Sequence, residues 1–200
     1  MNAGWASGER AAVLDPEDED GRAAHASSRP GIDPSVAFRD AMRHLAGAVS
    51  VITTGVGEGC TGFTATSVSS LSVTPPTLIV CVNRESSSWP VLQSHRAFCV
   101  NLLAHDQLHV ADRFAGRGGA KGVARYEGAS WQTLATGALA LVGALAALDC
   151  ELEEAIDRHT HSILIGRVQA IGLRSSAEPL LYWHGAYRLL SNIDRVLASA

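Results

Sequence analysis

Apolar residues alternate with polar or small residues along several short stretches of this chain, and such alternation is typical of half-buried β-strands. The alternating stretches are AVSVITT (48–54), LDCELEEAI (148–156) and HSILIGRVQAIGL (161–173), and the apolar run LIVCV (78–82) and the segment FCVNLL (98–103) are also predicted to be strands. Turn-forming segments separate them, including GVGEGCTG after the first and DRHT at 157–160. A last strand pair, or one bent strand, is predicted over 179–190. The pattern therefore indicates antiparallel strands joined by hairpins.

Three short helices accompany these strands. The first is predicted to begin at Asp33-Pro34, an N-cap followed by a first-turn proline, and to end near Gly47. The second begins at Pro90 and the third spans 106–114. Because the strands do not alternate with long helices, the sequence predicts a mainly β fold, a closed antiparallel barrel with a few short flanking helices. Periodicity leaves 138–156 ambiguous between helix and strand, although alternation over 148–156 favours a strand there, and the glycine-rich segment 115–128 is predicted to be a surface loop.

The stretch from 61 to 90 has the texture of a binding site. It opens with small and hydroxylated residues, turns at Pro75-Pro76, and ends in a polar cluster at 83–88. Small hydroxylated side chains let a flat ligand lie close to a strand backbone, although Thr and Ser also suit any half-solvated strand. The serines Ser86, Ser87 and Ser88 precede the Pro90 helix, where they would either bind a phosphate or cap the helix in the ordinary way.

Length and composition narrow the class of protein. Two hundred residues with 46% hydrophobic content suit one globular domain, predicted over 33–200, after a disordered acidic leader at 1–32. Sixteen Lys and Arg against 20 Asp and Glu give no basic field, so a nucleic-acid partner is not expected. No apolar run reaches bilayer length and no secretory signal opens the chain, which favours a cytoplasmic protein without a membrane partner.

Candidate chemistry is sparse. The four cysteines show no metal-ligand spacing, so no metal site is expected and the thiols are predicted to be reduced. The marker residues of metalloproteases, α/β-hydrolases and doubly wound dehydrogenases are missing. His159 is the candidate catalytic residue, because a histidine in the turn between two strands can bind an amide or transfer a proton near neutral pH. The alternative is a solvated turn histidine without a role.

Taken together, the order of these segments resembles the short-chain flavin reductases, a family with an FMN-binding split barrel whose members supply reduced flavin to two-component monooxygenases. The resemblance covers about Phe38 to Leu190. Six segments carry it: FRDAMRHLAGAVSVITT, GFTATSVSSLSVTPPTLIVCVNRESSSW, FCVNLLAHDQLHVADRFAG, RYEGASW, LAALDCELEEAIDRHTHSILIGRV and PLLYWHGAY. The second and fifth are specific in combination.

The resemblance implies an antiparallel split β-barrel and an NAD(P)H:flavin oxidoreductase that reduces FMN or FAD with NADH or NADPH. It implies a homodimer that passes reduced flavin to a partner monooxygenase. It places the phosphate end of the flavin at Ser86–Ser88, with Arg84 the nearest cation in sequence, and the nicotinamide near His159, Gly47 and Tyr187. The remaining flavin contacts that it implies are Phe63, Thr64, Ala65, Thr66, Ser67, Val68, Cys81, Val82, Asn83, Phe114 and Ala115.

One segment departs from the family pattern. The family usually has Gly-Asp-His-Thr at the hairpin tip, whereas this chain has Asp157-Arg158-His159-Thr160. The choice between FMN and FAD, the choice between NADH and NADPH, and the identity of the oxygenase stay open. Two other functions also fit such a barrel: a split-barrel oxidase or F420-type reductase, and a flavin-binding protein without catalysis.

Overall fold

The computed structural model describes residues 33–190, so the predicted leader at 1–32 and the last ten residues lie outside the described part. The chain divides after Leu45 into two units. The described part of the first contains helix α1 (Pro34–Met42), whose N-cap Asp33 accepts a hydrogen bond from the Ser35 backbone N–H at 2.8 Å. This helix ends at Met42 rather than near Gly47, because the Gly47 backbone belongs to a strand.

The described residues after Leu45 form strands and short helices, with strands in every segment where the hydrophobic pattern predicts them and a further one at 131–133 that it did not predict. Helix α2 spans Trp89–His95 and helix α3 spans Leu108–Phe114. The strands are β1 (Gly47–Ala48), β2 (Ser50–Thr54), β3 (Thr61–Ala65), β4 (Val68–Val73), β5 (Pro76–Asn83), β6 (Ala97–Leu102), β7 (Trp131–Thr133), β8 (Leu139–Leu141), β9 (Ala146–Arg158), β10 (His161–Leu173), β11 (Leu181–Trp183) and β12 (Ala186–Arg188). The ambiguous segment 138–156 therefore holds β8 and most of β9.

The main sheet has seven strands in the order β3-β2-β6-β9-β10-β5-β4, and every neighbouring pair is antiparallel. Its two edge strands, β3 and β4, are consecutive in the chain and are separated only by Thr66 and Ser67. Since so short a link spans at most about 10 Å, the sheet has to curl until its edges approach each other. No ladder joins β3 to β4 among the described strands, so a seam replaces the predicted closure of the barrel.

Two smaller sheets flank the main one. Strands β1, β11 and β12 form the first, in which Gly47 lies opposite Tyr182, and the β7–β8 hairpin forms the second. The segment predicted as an irregular loop contains two short 3-10 helices, Arg117–Gly119 and Gly122–Tyr126. The segment is therefore more regular than its glycine content predicts. Buried Tyr126 anchors it by donating a hydrogen bond to the Thr61 carbonyl at 2.6 Å.

Strand β2 separates two apolar clusters and is buried along its whole length. On one side, Ile52 packs with Val80, Phe98 and Leu164. On the other side, Val51 belongs to a cluster that includes Phe114 of α3 and Tyr126, whose rings meet edge to face at 5.0 Å between centroids. The four cysteines are free thiols, and burial raises the pKa of Cys150 to about 12. These clusters fix α3 and the 3-10 helices beside β3.

Two buried serines give a direct test of this packing. The Ser88 hydroxyl donates to the Gly62 carbonyl at 3.0 Å and lies 3.2 Å from Thr61 Oγ1, whereas the buried Ser162 hydroxyl has no partner among the described residues. We expect Ser88→Ala to lower the free energy of unfolding by about 1 kcal/mol, and Ser162→Ala to leave it unchanged or raise it. Urea unfolding of both variants checks this. A larger loss for Ser162→Ala than for Ser88→Ala would contradict it.

Candidate functional site

A cavity of about 350 Å³, here called the main cavity, opens at the seam beside the tip of the β9–β10 hairpin. Its volume lies at the lower end of the range for small-molecule and cofactor sites. The wall combines two aromatic rings, several small or hydroxylated side chains, one guanidinium and one imidazole. Its lining residues among those predicted from the sequence are Phe63, Thr64, Ala65, Ser67, Cys81, Asn83, Ser86, Phe114 and Ala115.

A second cavity of about 220 Å³, here called the adjoining cavity, shares Thr64, Ala65 and Ala115 with the first. Of the residues predicted from the sequence, it adds Thr66 and Tyr187. Residues that the sequence did not suggest, including Arg117 and Tyr182, complete it. Because three residues border both cavities, two molecules bound side by side would be brought close to each other.

The hydroxyl groups of the wall are already used within the protein. Thr64 Oγ1 donates to the Ala111 carbonyl at 2.7 Å. Ser67 Oγ donates to the Cys81 carbonyl at 3.1 Å and accepts from the Cys81 N–H at 3.2 Å, which continues the β4–β5 pairing into the β3–β4 link. Thr64 therefore holds α3 against β3, and Ser67 holds β5 against the β3–β4 link. From the sequence, both a ligand-binding wall and an ordinary half-solvated strand were open for these residues.

Of the three serines before α2, only Ser86 lines the main cavity. Its hydroxyl accepts a hydrogen bond from the Ser88 N–H at 3.3 Å, and the Asn83 side-chain oxygen accepts one from the Glu85 N–H at 3.0 Å. Ser88 is buried and uses its hydroxyl inside the protein, while Ser87 is exposed outside both cavities. Of the polar cluster at 83–88, it is therefore Asn83 and Ser86 that line the main cavity.

The cation of the main cavity is Arg125, which comes from the segment predicted to be a surface loop. Its Nε donates to the Ala120 carbonyl at 3.1 Å and its Nη1 donates to the Gly62 carbonyl. Arg113 of α3 holds the same segment, since its Nε donates to the Arg125 carbonyl at 3.3 Å and its Nη2 to the Ala124 carbonyl. The guanidinium of Arg125 is thus fixed by backbone contacts at the cavity wall. Tyr126, an aromatic residue in a glycine-rich segment, was the signal that this segment is anchored.

The two histidines of the hairpin tip have different positions. His161, the first residue of β10, lines the main cavity, and its Nδ1 lies 2.8 Å from Thr160 Oγ1. His159 lies outside both cavities, in the turn itself, with a φ of 50°. This is the left-handed region that glycine adopts most readily. The glycine-like turn position is therefore occupied by His159, and the imidazole at the cavity belongs to His161.

Several other predicted residues line neither cavity. Val82 points into the core because side chains alternate along β5, so that its neighbours Cys81 and Asn83 face the cavity instead. Arg84 is exposed and pairs with Asp157 at 3.5 Å. Gly47 lies against the wall, since a Cβ atom there would stand 3.0 Å from the Thr66 Cβ. The predicted residues outside both cavities are Gly47, Val68, Val82, Arg84, Ser87, Ser88 and His159.

Between residues 33 and 190, no helix has the length and apolar character needed to cross a bilayer. In the same range, the side chains of His, Cys, Asp and Glu do not gather into any group of three or more that would hold a metal ion.

Comparison with known proteins gives consistent results. The model of the flavin reductase like domain matches residues 42–191. FMN reductase (NADH) RutF 2 of Methylorubrum extorquens (strain PA1) is 43% identical over 171 residues, which cover 84% of this chain and 96% of that protein.

Solved structures agree with this match. BorF, the flavin reductase component of a bacterial two-component tryptophan halogenase, is 33% identical with a TM-score of 0.72, covering 79% of this chain and 99% of its own. The NADH:FAD oxidoreductase SgcE6 of Streptomyces globisporus C-1027 is 26% identical with a TM-score of 0.74, covering 91% and 99%. These likenesses confirm the predicted split-barrel fold. The strand order of the main sheet shows that the split is the seam between β3 and β4.

Proposed function

This chain belongs to the flavin reductase-like domain family, and from that premise we propose that it reduces flavin with NADH at the two joined cavities. It is an NAD(P)H:flavin oxidoreductase. The observation that carries the site assignment is the shared border of Thr64, Ala65 and Ala115, because hydride transfer requires the two reacting rings to touch. The main cavity takes the flavin, and the adjoining cavity takes the pyridine nucleotide.

The residues of the main cavity suit a flavin mononucleotide. The thin wall of Thr64 and Ala65 admits a flat ring near the β3 backbone, with the rings of Phe63 and Phe114 beside it. Arg125, Ser86 and Asn83 offer a guanidinium and hydrogen-bonding groups, which is the chemistry that a phosphate requires. When bound, the flavin supplies the electron-accepting ring. The protein supplies orientation, and the seam supplies the opening through which flavin enters and leaves.

NADH consumption that depends on added FMN tests this function. We expect the purified protein to oxidise NADH only when flavin is present, as followed by the loss of NADH absorbance. Flavin binding without NADH oxidation would show a binding protein instead. Turnover of an organic substrate by the protein alone would show an oxidase or an F420-type reductase.

His161 is the histidine that we assign to the reaction, in place of His159. It lines the main cavity beside the hairpin tip, whereas His159 occupies the turn. We expect His161→Ala to lower kcat/KM for NADH by about 10-fold, which corresponds to the loss of one hydrogen bond in the reacting complex. Steady-state kinetics with FMN at saturation measure it.

His159→Ala is the matched control for that measurement, because it removes the same group two residues away. We expect its kcat/KM to stay within about 2-fold of the unsubstituted protein, the size of effect typical of a surface change without a contact to substrate. A larger effect for His159→Ala than for His161→Ala would return the role to His159.

Use of FAD, delivery to an oxygenase and dimerisation complete the proposal. The main cavity opens at the seam, so a longer flavin could extend into solvent and reduced flavin could leave for a separate monooxygenase. Large apolar side chains such as Val73 and Leu173, 86% and 80% exposed, support burial against a second copy of the chain. Comparison of FMN with FAD in the NADH assay tests the use of FAD. Light scattering of the purified protein tests dimerisation. An oxygenase assay with and without this protein tests delivery.

A further inference from the structure

The adjoining cavity is lined by one charged side chain, that of Arg117, to which the proposed reaction assigns no role. Arg117 lines this cavity and stands over the Tyr187 ring, with 5.4 Å between the guanidinium carbon and the ring centroid. The rings of Tyr182 and Tyr187 meet edge to face at 5.5 Å between centroids on the same wall. Among the residues that line this cavity, Arg117 is the cation, and none is a carboxylate.

Asp112 of α3 contacts both Arg117 and Tyr187. Its carboxylate accepts a hydrogen bond from Arg117 Nη1 at 2.9 Å. Burial is the main cause that raises the pKa of Tyr187 to about 12, and a hydrogen bond to Asp112 adds to it. The phenol therefore keeps its proton across the physiological range. A guanidinium has five N–H donors, and the bond to Asp112 uses one of them. The remaining donors are available to an anionic ligand.

The backbone around Arg117 allows its side chain to be presented in this way. Gly116, Gly118 and Gly119 all have positive φ values, between 77° and 81°, which only glycine adopts without strain. The chain therefore turns tightly on both sides of Arg117. Since Arg117 is also exposed, it can exchange part of its contact with Asp112 for a bound anion at little cost.

The chemistry of the second substrate fits this cavity. A pyridine dinucleotide combines aromatic rings with a pyrophosphate, and the cavity combines two tyrosine rings with one guanidinium that can bind phosphate oxygens bidentately. We propose that Arg117 binds the pyrophosphate of the pyridine nucleotide and thereby selects a dinucleotide donor over a bare dihydronicotinamide. This inference rests on the proposed function.

Two hydride donors separate the role of Arg117 from general effects: NADH, and 1-benzyl-1,4-dihydronicotinamide, which has the reacting ring but no phosphate. We expect Arg117→Ala to raise KM for NADH by about 10-fold or more, the loss typical of a charged hydrogen bond, with kcat and FMN affinity retained. The rate with the benzyl compound should not change. Arg117→Lys should recover part of the loss. Calorimetric titration with NAD+ should show a parallel weakening without any turnover.

Arg167→Ala is the control for loss of one positive charge, because Arg167 lies on β10 and pairs with Glu151 at 2.8 Å, outside both cavities. Equal losses for the two variants would overturn the inference, as would an unchanged KM for NADH or an equal loss with the benzyl compound in Arg117→Ala. Absence of NADH oxidation by the unsubstituted protein with either donor would instead refute the proposed function.

Discussion

The Arg125→Ala variant is expected to bind FMN about 10- to 100-fold more weakly than the unsubstituted chain, while its affinity for riboflavin stays the same. Arg125 is the guanidinium of the main cavity, and a hydrogen bond between charged groups contributes about 1.5–3 kcal/mol to binding. Riboflavin has the same ring system and no phosphate, so it does not draw on this interaction. Calorimetric or fluorescence titration with both ligands measures the difference directly.

Two further variants sharpen this test. Arg125→Lys keeps the positive charge but loses the paired N–H donors of the guanidinium. We expect its affinity for FMN to lie between those of Arg125→Ala and the unsubstituted protein. Arg84→Ala removes the cation that lies nearest to the serines in sequence, yet Arg84 pairs with Asp157 outside both cavities, so FMN affinity should not change. A greater loss for Arg84→Ala would contradict the assignment. An equal loss of riboflavin affinity in Arg125→Ala would show that Arg125 shapes the cavity rather than binding phosphate.

Alternation along the strands made most of the fold predictable. In β10, exposed Arg167 and Gln169 alternate with the less exposed Val168 and Ala170, and this period-two pattern is visible in the sequence. Neither the link at Thr66-Ser67 nor the seam was predicted from the sequence. Whether two edge strands pair or stay apart depends on the curl of the whole sheet, which no local pattern encodes.

The site was harder to predict because its residues meet across the chain. Arg125 reaches the carbonyl of Gly62, 63 positions earlier in the sequence, and its own segment has a composition typical of a loop. His159 and His161 differ only in whether they belong to the turn or to the strand, and that register is set by pairing of His161 with Asn83 of β5. Composition drew attention to the small residues of β3 that line the main cavity, but not to the side chains that complete it.

Gly62 affects both the stability of the barrel and the shape of the main cavity. A Cβ atom at this position would lie 2.3 Å from the Ile52 carbonyl oxygen and 2.7 Å from the Phe114 ring. The carbonyl belongs to buried β2, which pairs with β3, and Phe114 is only 2% exposed, so neither neighbour has space to retreat. The Gly62 carbonyl also accepts hydrogen bonds from Ser88 and Arg125. Displacement of this strand would therefore disturb the packing of α3 and the position of the cavity cation together.

Accordingly, Gly62→Ala should lower the free energy of unfolding by about 3 kcal/mol, at the upper end of the usual cost of overpacking, and should weaken FMN binding as well. Gly59→Ala is the matched control, because no atom lies within 4 Å of a Cβ at Gly59 and its φ is not positive. We expect that variant to match or slightly exceed the unsubstituted protein, since alanine restricts the unfolded chain. Urea unfolding followed by circular dichroism compares the two. Similar midpoints for both variants would mean that β3 can move away from β2 and Phe114, and that the close approach at Gly62 does not hold the barrel together.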